Sequence, residues 1–94
     1  MKAISINGLG VCDNLELADD FVKQIMPEAV YMEKLDFGTR LFYPMEKQLE
    51  NMSFVYDVDG TLYNTIWTNP YDELVEILAD VRKGYQMSME LVFK

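Results

Sequence analysis

The stretch SFVYDVDGTLYNTIW, residues 53–67, constrains the fold more than any other part of the chain. Phe54, Val55, Tyr56 and Val58 precede an Asp59-Gly60 pair, and Thr61, Leu62, Tyr63, Thr65, Ile66 and Trp67 follow it. β-Branched and aromatic residues suit a pleated strand. An Asp-Gly pair suits a type I′ turn, in which both central residues need φ > 0. The spacing therefore predicts a hairpin in which Val58 faces Thr61, Tyr56 faces Tyr63 and Phe54 faces Thr65. The two tyrosines then form a cross-strand pair on one face.

The other elements are read from periodicity. Residues 2–7, KAISIN, alternate polar and apolar as a half-buried strand does, and Gly8 and Gly10 end them. Asp13 with Glu16 spells a capping box, which predicts a helix running to about Met26, before Pro27. On that helix Leu15, Ala18, Phe21, Val22 and Ile25 share one face, and Asp13, Glu16, Asp19, Asp20 and Lys23 the other. AVYMEKLD (29–36) and TRLFYP (39–44) read as strands of a second hairpin, and MEKQLENM (45–52) as a short helix.

Asn69 as N-cap and Pro70 at the first position open the clearest helix. Acids Asp72 and Glu73 lie in its first turn, bases Arg82 and Lys83 in its last, and Gly84 is placed to cap it. Tyr71, Leu74, Ile77, Leu78 and Val81 make its apolar face; Asp72, Glu73, Glu76, Asp80 and Lys83 make the polar one. MSMELVF (87–93) alternates again and reads as a last strand. The expected fold is α+β, a single domain over residues 1–94. Its mostly antiparallel sheet of four to six strands carries two amphipathic helices packed on one face.

Composition narrows the function. Sixteen acids against eight bases give a net charge of -8. That sign disfavours direct binding to nucleic acid or to anionic membranes, both of which call for Lys and Arg. No apolar run approaches a bilayer span and no signal-peptide core opens the chain, so the expected location is cytoplasmic. One cysteine, Cys12, precludes an internal disulfide, and the absence of histidine removes the commonest general base and metal ligand. Neither a metal site nor a cofactor site is expected.

Within the hairpin, the run FVYDVDGTLY, centred on Asp57-Val58-Asp59-Gly60-Thr61, resembles the opening motif of the haloacid dehalogenase-like phosphatases. The resemblance implies Asp57 as nucleophile, Asp59 as general acid/base, and the pair as Mg²⁺ ligands. It covers about ten residues. The family also uses a downstream Ser/Thr, a Lys and an acidic pair from later strands of a large parallel sheet, for which too little chain follows Asp59. An EF-hand loop starting at Asp57 fails, because Leu62 and Thr68 stand where Gly and Glu are required. A dinucleotide fingerprint at Gly8-Leu9-Gly10 fails, because Asp13 stands in place of the third glycine. Cys12 lacks a histidine partner and reads as an ordinary thiol.

The remaining signal is acidic. Asp13, Glu16, Asp19, Asp20, Asp72, Glu73, Glu76 and Asp80 form two stripes in which like charges stand close together, at a cost in stability. The leading expectation is a small non-enzymatic binding protein, of the kind that inhibitors and DNA mimics represent. It would present these acids to a basic, nucleic-acid-binding protein. The alternatives are an Mg²⁺-dependent phosphoryl-transfer enzyme using Asp57 and Asp59, or a ligand-free homodimeric structural domain. A homodimer is expected on a further ground: KAISIN and MSMELVF are candidate edge strands with little edge protection.

Overall fold

The computed structural model describes residues 1–8, 10–46 and 54–82. Its strands are β1 (Ala3–Ser5), β2 (Val11–Cys12), β3 (Leu15–Leu17), β4 (Tyr31–Leu35), β5 (Gly38–Pro44), β6 (Val55–Val58) and β7 (Thr61–Thr68). Its helices are α1 (Asp20–Ile25) and α2 (Tyr71–Arg82). All seven strands join one sheet in the order β2-β1-β6-β7-β5-β4-β3, and every pairing is antiparallel.

That order forces the sheet to curl. β2 and β3 are its opposite edges, yet only Asp13 and Asn14 separate them in the chain. Three residue steps reach at most about 11 Å, little more than two interstrand spacings. The sheet thus bends almost into a barrel. This corrects the expected α+β fold, a sheet of four to six strands covered by two helices. Among the described residues the sheet has seven strands and is nearly barrel-shaped, and the two helices are short.

The largest departure lies at residues 13–19. The expected capping box at Asp13 and Glu16 does not start a helix. Leu15–Leu17 form a strand instead, and Asp19 is the N-cap, its Oδ1 accepting the Val22 N–H at 3.0 Å. The physical reason is a double periodicity. Cys12 and Leu15 are buried and Val11 and Glu16 exposed, which a strand on either side of a short link satisfies as well as a helix does. Pairing of β3 with β4 then supplies the hydrogen bonds.

Both hairpins form. In β6–β7 Tyr56 faces Tyr63 and Val58 faces Thr61, as the Asp-Gly turn requires, and Phe54 accepts the Thr65 N–H at 3.1 Å. Asp59 and Gly60 have φ of 50° and 89°, both positive. In β4–β5 the register runs from Leu35 opposite Gly38 to Tyr31 opposite Phe42. The helix after Asn69 begins one residue later than expected, with the Pro70 carbonyl accepting from Leu74 N–H at 3.2 Å. The expected strand at 87–93, the cap at Gly84, and residues 47–52 of the expected short helix lie outside the described residues. KAISIN is not an edge: β1 is paired on both sides, by β2 and β6. The edge argument for a homodimer therefore has no support from that strand.

Among the described residues two clusters of buried side chains form, one per face of the sheet. Inside the curl Ala3, Cys12, Leu15, Phe42, Tyr56 and Val58 pack together, with Tyr31 and Tyr63 against them. On the outer face Met32, Leu41 and Tyr43 of β4 and β5 pack with Ala18, Ala29 and Val22 of α1, joined by Ile66 and Tyr71. α1 and α2 also touch each other.

Candidate functional site

The acids singled out by the sequence take up three settings. Asp13 is exposed in the link between β2 and β3. Glu16 is exposed on β3, and Asp19 and Asp20 open α1. Asp72, Glu73, Glu76 and Asp80 lie exposed on α2. The expectation of one long acidic stripe before Pro27 is thus replaced by a strand acid and two acids at a helix start.

The starts of the two helices meet at Tyr71. Its hydroxyl donates to Asp19 Oδ2, while Asp19 Oδ1 caps α1. Burial, then the hydrogen bond to Asp19, then the negative charges of Asp19, Glu16 and Asp72 push the Tyr71 hydroxyl up to about 12. Lys34 Nζ lies 4.2 Å from the centre of the Tyr71 ring and 3.4 Å from Glu16 Oε2. Lys34, Asp36, Pro70, Tyr71 and Asp72 line a shallow open groove. Glu16, Asp19 and Asp72 are therefore brought together, and Asp36, unremarked in the sequence, joins them. Glu76 and Asp80 continue along α2, one turn apart. Asp13 lies outside this group.

The phosphatase-like motif occupies the β6–β7 turn. Asp57 Oδ1 accepts the Gly60 N–H at 2.7 Å, so this carboxylate braces the turn that the glycine makes possible. Asp57 and Asp59 border a second open groove with Lys2, Ile4 and Ile6. Among the described residues no group of three or more His, Cys, Asp or Glu is placed to hold a metal ion.

A polar cluster that the sequence reading missed lies inside the curl. Glu33 and Arg40 face each other across β4–β5, with Arg40 Nε 3.9 Å from Glu33 Oε1. Arg40 donates through Nη1 to Thr65 Oγ1 at 3.3 Å, while its Nε is buried without a hydrogen-bond partner. The guanidinium lies 5.1–5.3 Å from the ring centres of Phe54, Tyr56 and Trp67, within cation–π range. Beside it, burial and then Glu33 push the Cys12 thiol up to about 12. A thiol held so far from ionisation is a poor nucleophile. The pair was legible in principle: once Leu35 is set opposite Gly38, Glu33 must fall opposite Arg40.

Comparison of the chain with known protein families, with curated proteins and with solved structures gives no match in any of the three.

Proposed function

We propose that this chain is a small acidic binding protein that performs no catalysis and engages a basic protein partner. The observation that carries the reading is the gathering of acids around Tyr71: Asp19 accepts from its hydroxyl, Glu16 pairs with the Lys34 that lies over its ring, and Asp72 lines the same groove. A surface rich in acids favours a partner that brings lysines and arginines to it. The contact would draw on Glu16, Asp19, Asp20, Asp72, Glu73, Glu76 and Asp80, with Asp13 apart from them in the β2–β3 link. Along α2 its carboxylates stand roughly 5–6 Å apart, the neighbour spacing of a helix surface. Proteins that bind nucleic acid carry rows of Lys and Arg for phosphates, so they are the natural partner class, in the manner of a DNA mimic. No cofactor or metal takes part, and the chain itself does not bind nucleic acid. The setting is the cytoplasm. Among the described residues, no helix is long and apolar enough to cross a membrane.

The test is comparative affinity capture from a cell lysate. The wild-type chain is set beside a variant carrying Asp20→Asn, Asp72→Asn, Glu73→Gln and Glu76→Gln. Basic proteins should be retained by the wild type at low salt, released at high salt, and absent from the variant. Equal retention by both chains, or retention of no basic protein by the wild type, would sink the proposal.

A further inference from the structure

The register of the sheet sets a base among the acids. Lys34 follows Met32 by two residues on β4, so both side chains stand on the outer face. Met32 is buried with α1, while Lys34 emerges beside the start of α2. Glu16 of β3 is opposite Met32, which makes it the diagonal neighbour of Lys34. The Lys34 ammonium lies 3.4 Å from Glu16 Oε2 and 4.2 Å from the centre of the Tyr71 ring. Asp36 and Asp72 line the same groove, and among its described lining residues Lys34 is the only base. One ammonium against Glu16, Asp19, Asp36 and Asp72 leaves the surroundings of Tyr71 net negative.

On the reading of these acids as a binding surface, we propose that Lys34 is a built-in competitor. Its ammonium holds the seat on Tyr71 and Glu16 that a lysine or arginine side chain of the basic partner takes, and it leaves when the partner binds. The resident ammonium shows the chemistry the seat accepts, a cation on an aromatic face beside a carboxylate. The net negative surroundings draw a further cation to a seat already filled. Both contacts of Lys34 are weak enough to exchange. Its side chain is 38% exposed and that of Glu16 57%, and an ion pair so open to water holds loosely. The competitor thus lowers affinity for any stray cation, and a partner that brings several bases at once displaces it.

The experiment is calorimetric titration of the full chain with octaarginine. It is run at about 0.15 M salt, where charges more than about 8 Å apart are largely screened. Lys34→Met removes the competitor and should tighten binding by about 5- to 10-fold. Lys34→Arg keeps a cation on the ring and should bind as the wild type does. Lys2→Met makes the same change of charge in the other groove, beside Asp57 and Asp59, and should tighten binding by less than about 2-fold. Circular dichroism confirms that each variant is folded. A second measurement uses the wild type alone. The Lys34 ε-methylene protons, shielded over the Tyr71 ring, should move to their ordinary proton shift as octaarginine is added. Equal gains from Lys34→Met and Lys2→Met would show a general charge effect and overturn the competitor, leaving the acidic surface standing. Weaker binding by Lys34→Met, or Lys34 protons that stay shielded in the complex, overturns it too. Octaarginine that binds neither the wild type nor Lys34→Met overturns the acidic reading itself, and the competitor with it.

Discussion

Gly38 opens β5 so close to the Trp67 indole that a Cβ built on it would overlap the ring. Gly38→Ala should therefore lower stability by about 1–3 kcal/mol, the usual cost of overpacking, and a lowered thermal midpoint would register it. Gly60 is a glycine for a different reason. Its φ of 89° is a conformation that L side chains resist. Gly60→Val should cost at least about 1–2 kcal/mol, and a variant as stable as the parent would refute the turn. Asp57→Asn should cost about 1 kcal/mol by weakening the charge-assisted bond to Gly60 N–H, with no Mg²⁺-dependent phosphomonoester turnover to lose. The Cys12 thiol lies near 12 against an ordinary value of 9.0. Burial thus favours its protonated form in the folded state. Its contribution to stability is complete below pH 9 and is lost as pH rises toward 12. Alkylation of the native thiol at pH 8 should run at least about 100-fold slower than in denaturant.

At the scale of elements, legibility followed the strength of the local signal. Asp59-Gly60 between β-formers has one good solution, and the register of β6–β7 came out as the turn chemistry demanded. Residues 11–25 have two. Their apolar spacing fits a helix from Asp13 as well as two short strands followed by a helix from Asp19. The choice rests on pairing between β3 and β4, a contact the local sequence does not announce. The same limit hid the interior charges. Nothing in the local sequence marks Glu33 or Arg40 as interior, and only the curl of the sheet buries them together. Arg40→Met should cost about 3 kcal/mol or more, because it strands the Glu33 carboxylate in the interior. Adding Glu33→Gln to Arg40→Met should recover most of that loss. Urea denaturation of both single variants and the double variant closes this cycle.

At the scale of the whole molecule, the seven strands and two short helices of the described residues divide the surface into unlike regions. One carries the acids gathered at the starts of α1 and α2, and another exposes Ile4, Ile6 and Val11 beside Asp57. The eight acids were chosen from charge spacing alone. That three of them, Glu16, Asp19 and Asp72, come together around Tyr71 was not legible, because it depends on α1 beginning at Asp20 and meeting α2. The central claim is that the acids, and not the Asp57–Gly60 turn, receive the partner. Amide chemical-shift mapping of the isotope-labelled chain tests it most directly, with the basic protein retained by affinity capture as the titrant. Salt-sensitive shifts are expected at Glu16, Asp19, Asp20, Asp72, Glu73 and Glu76, with the amides of Asp57 to Thr61 unmoved. Shifts centred on Asp57 to Thr61, with the helix starts unmoved, would contradict it.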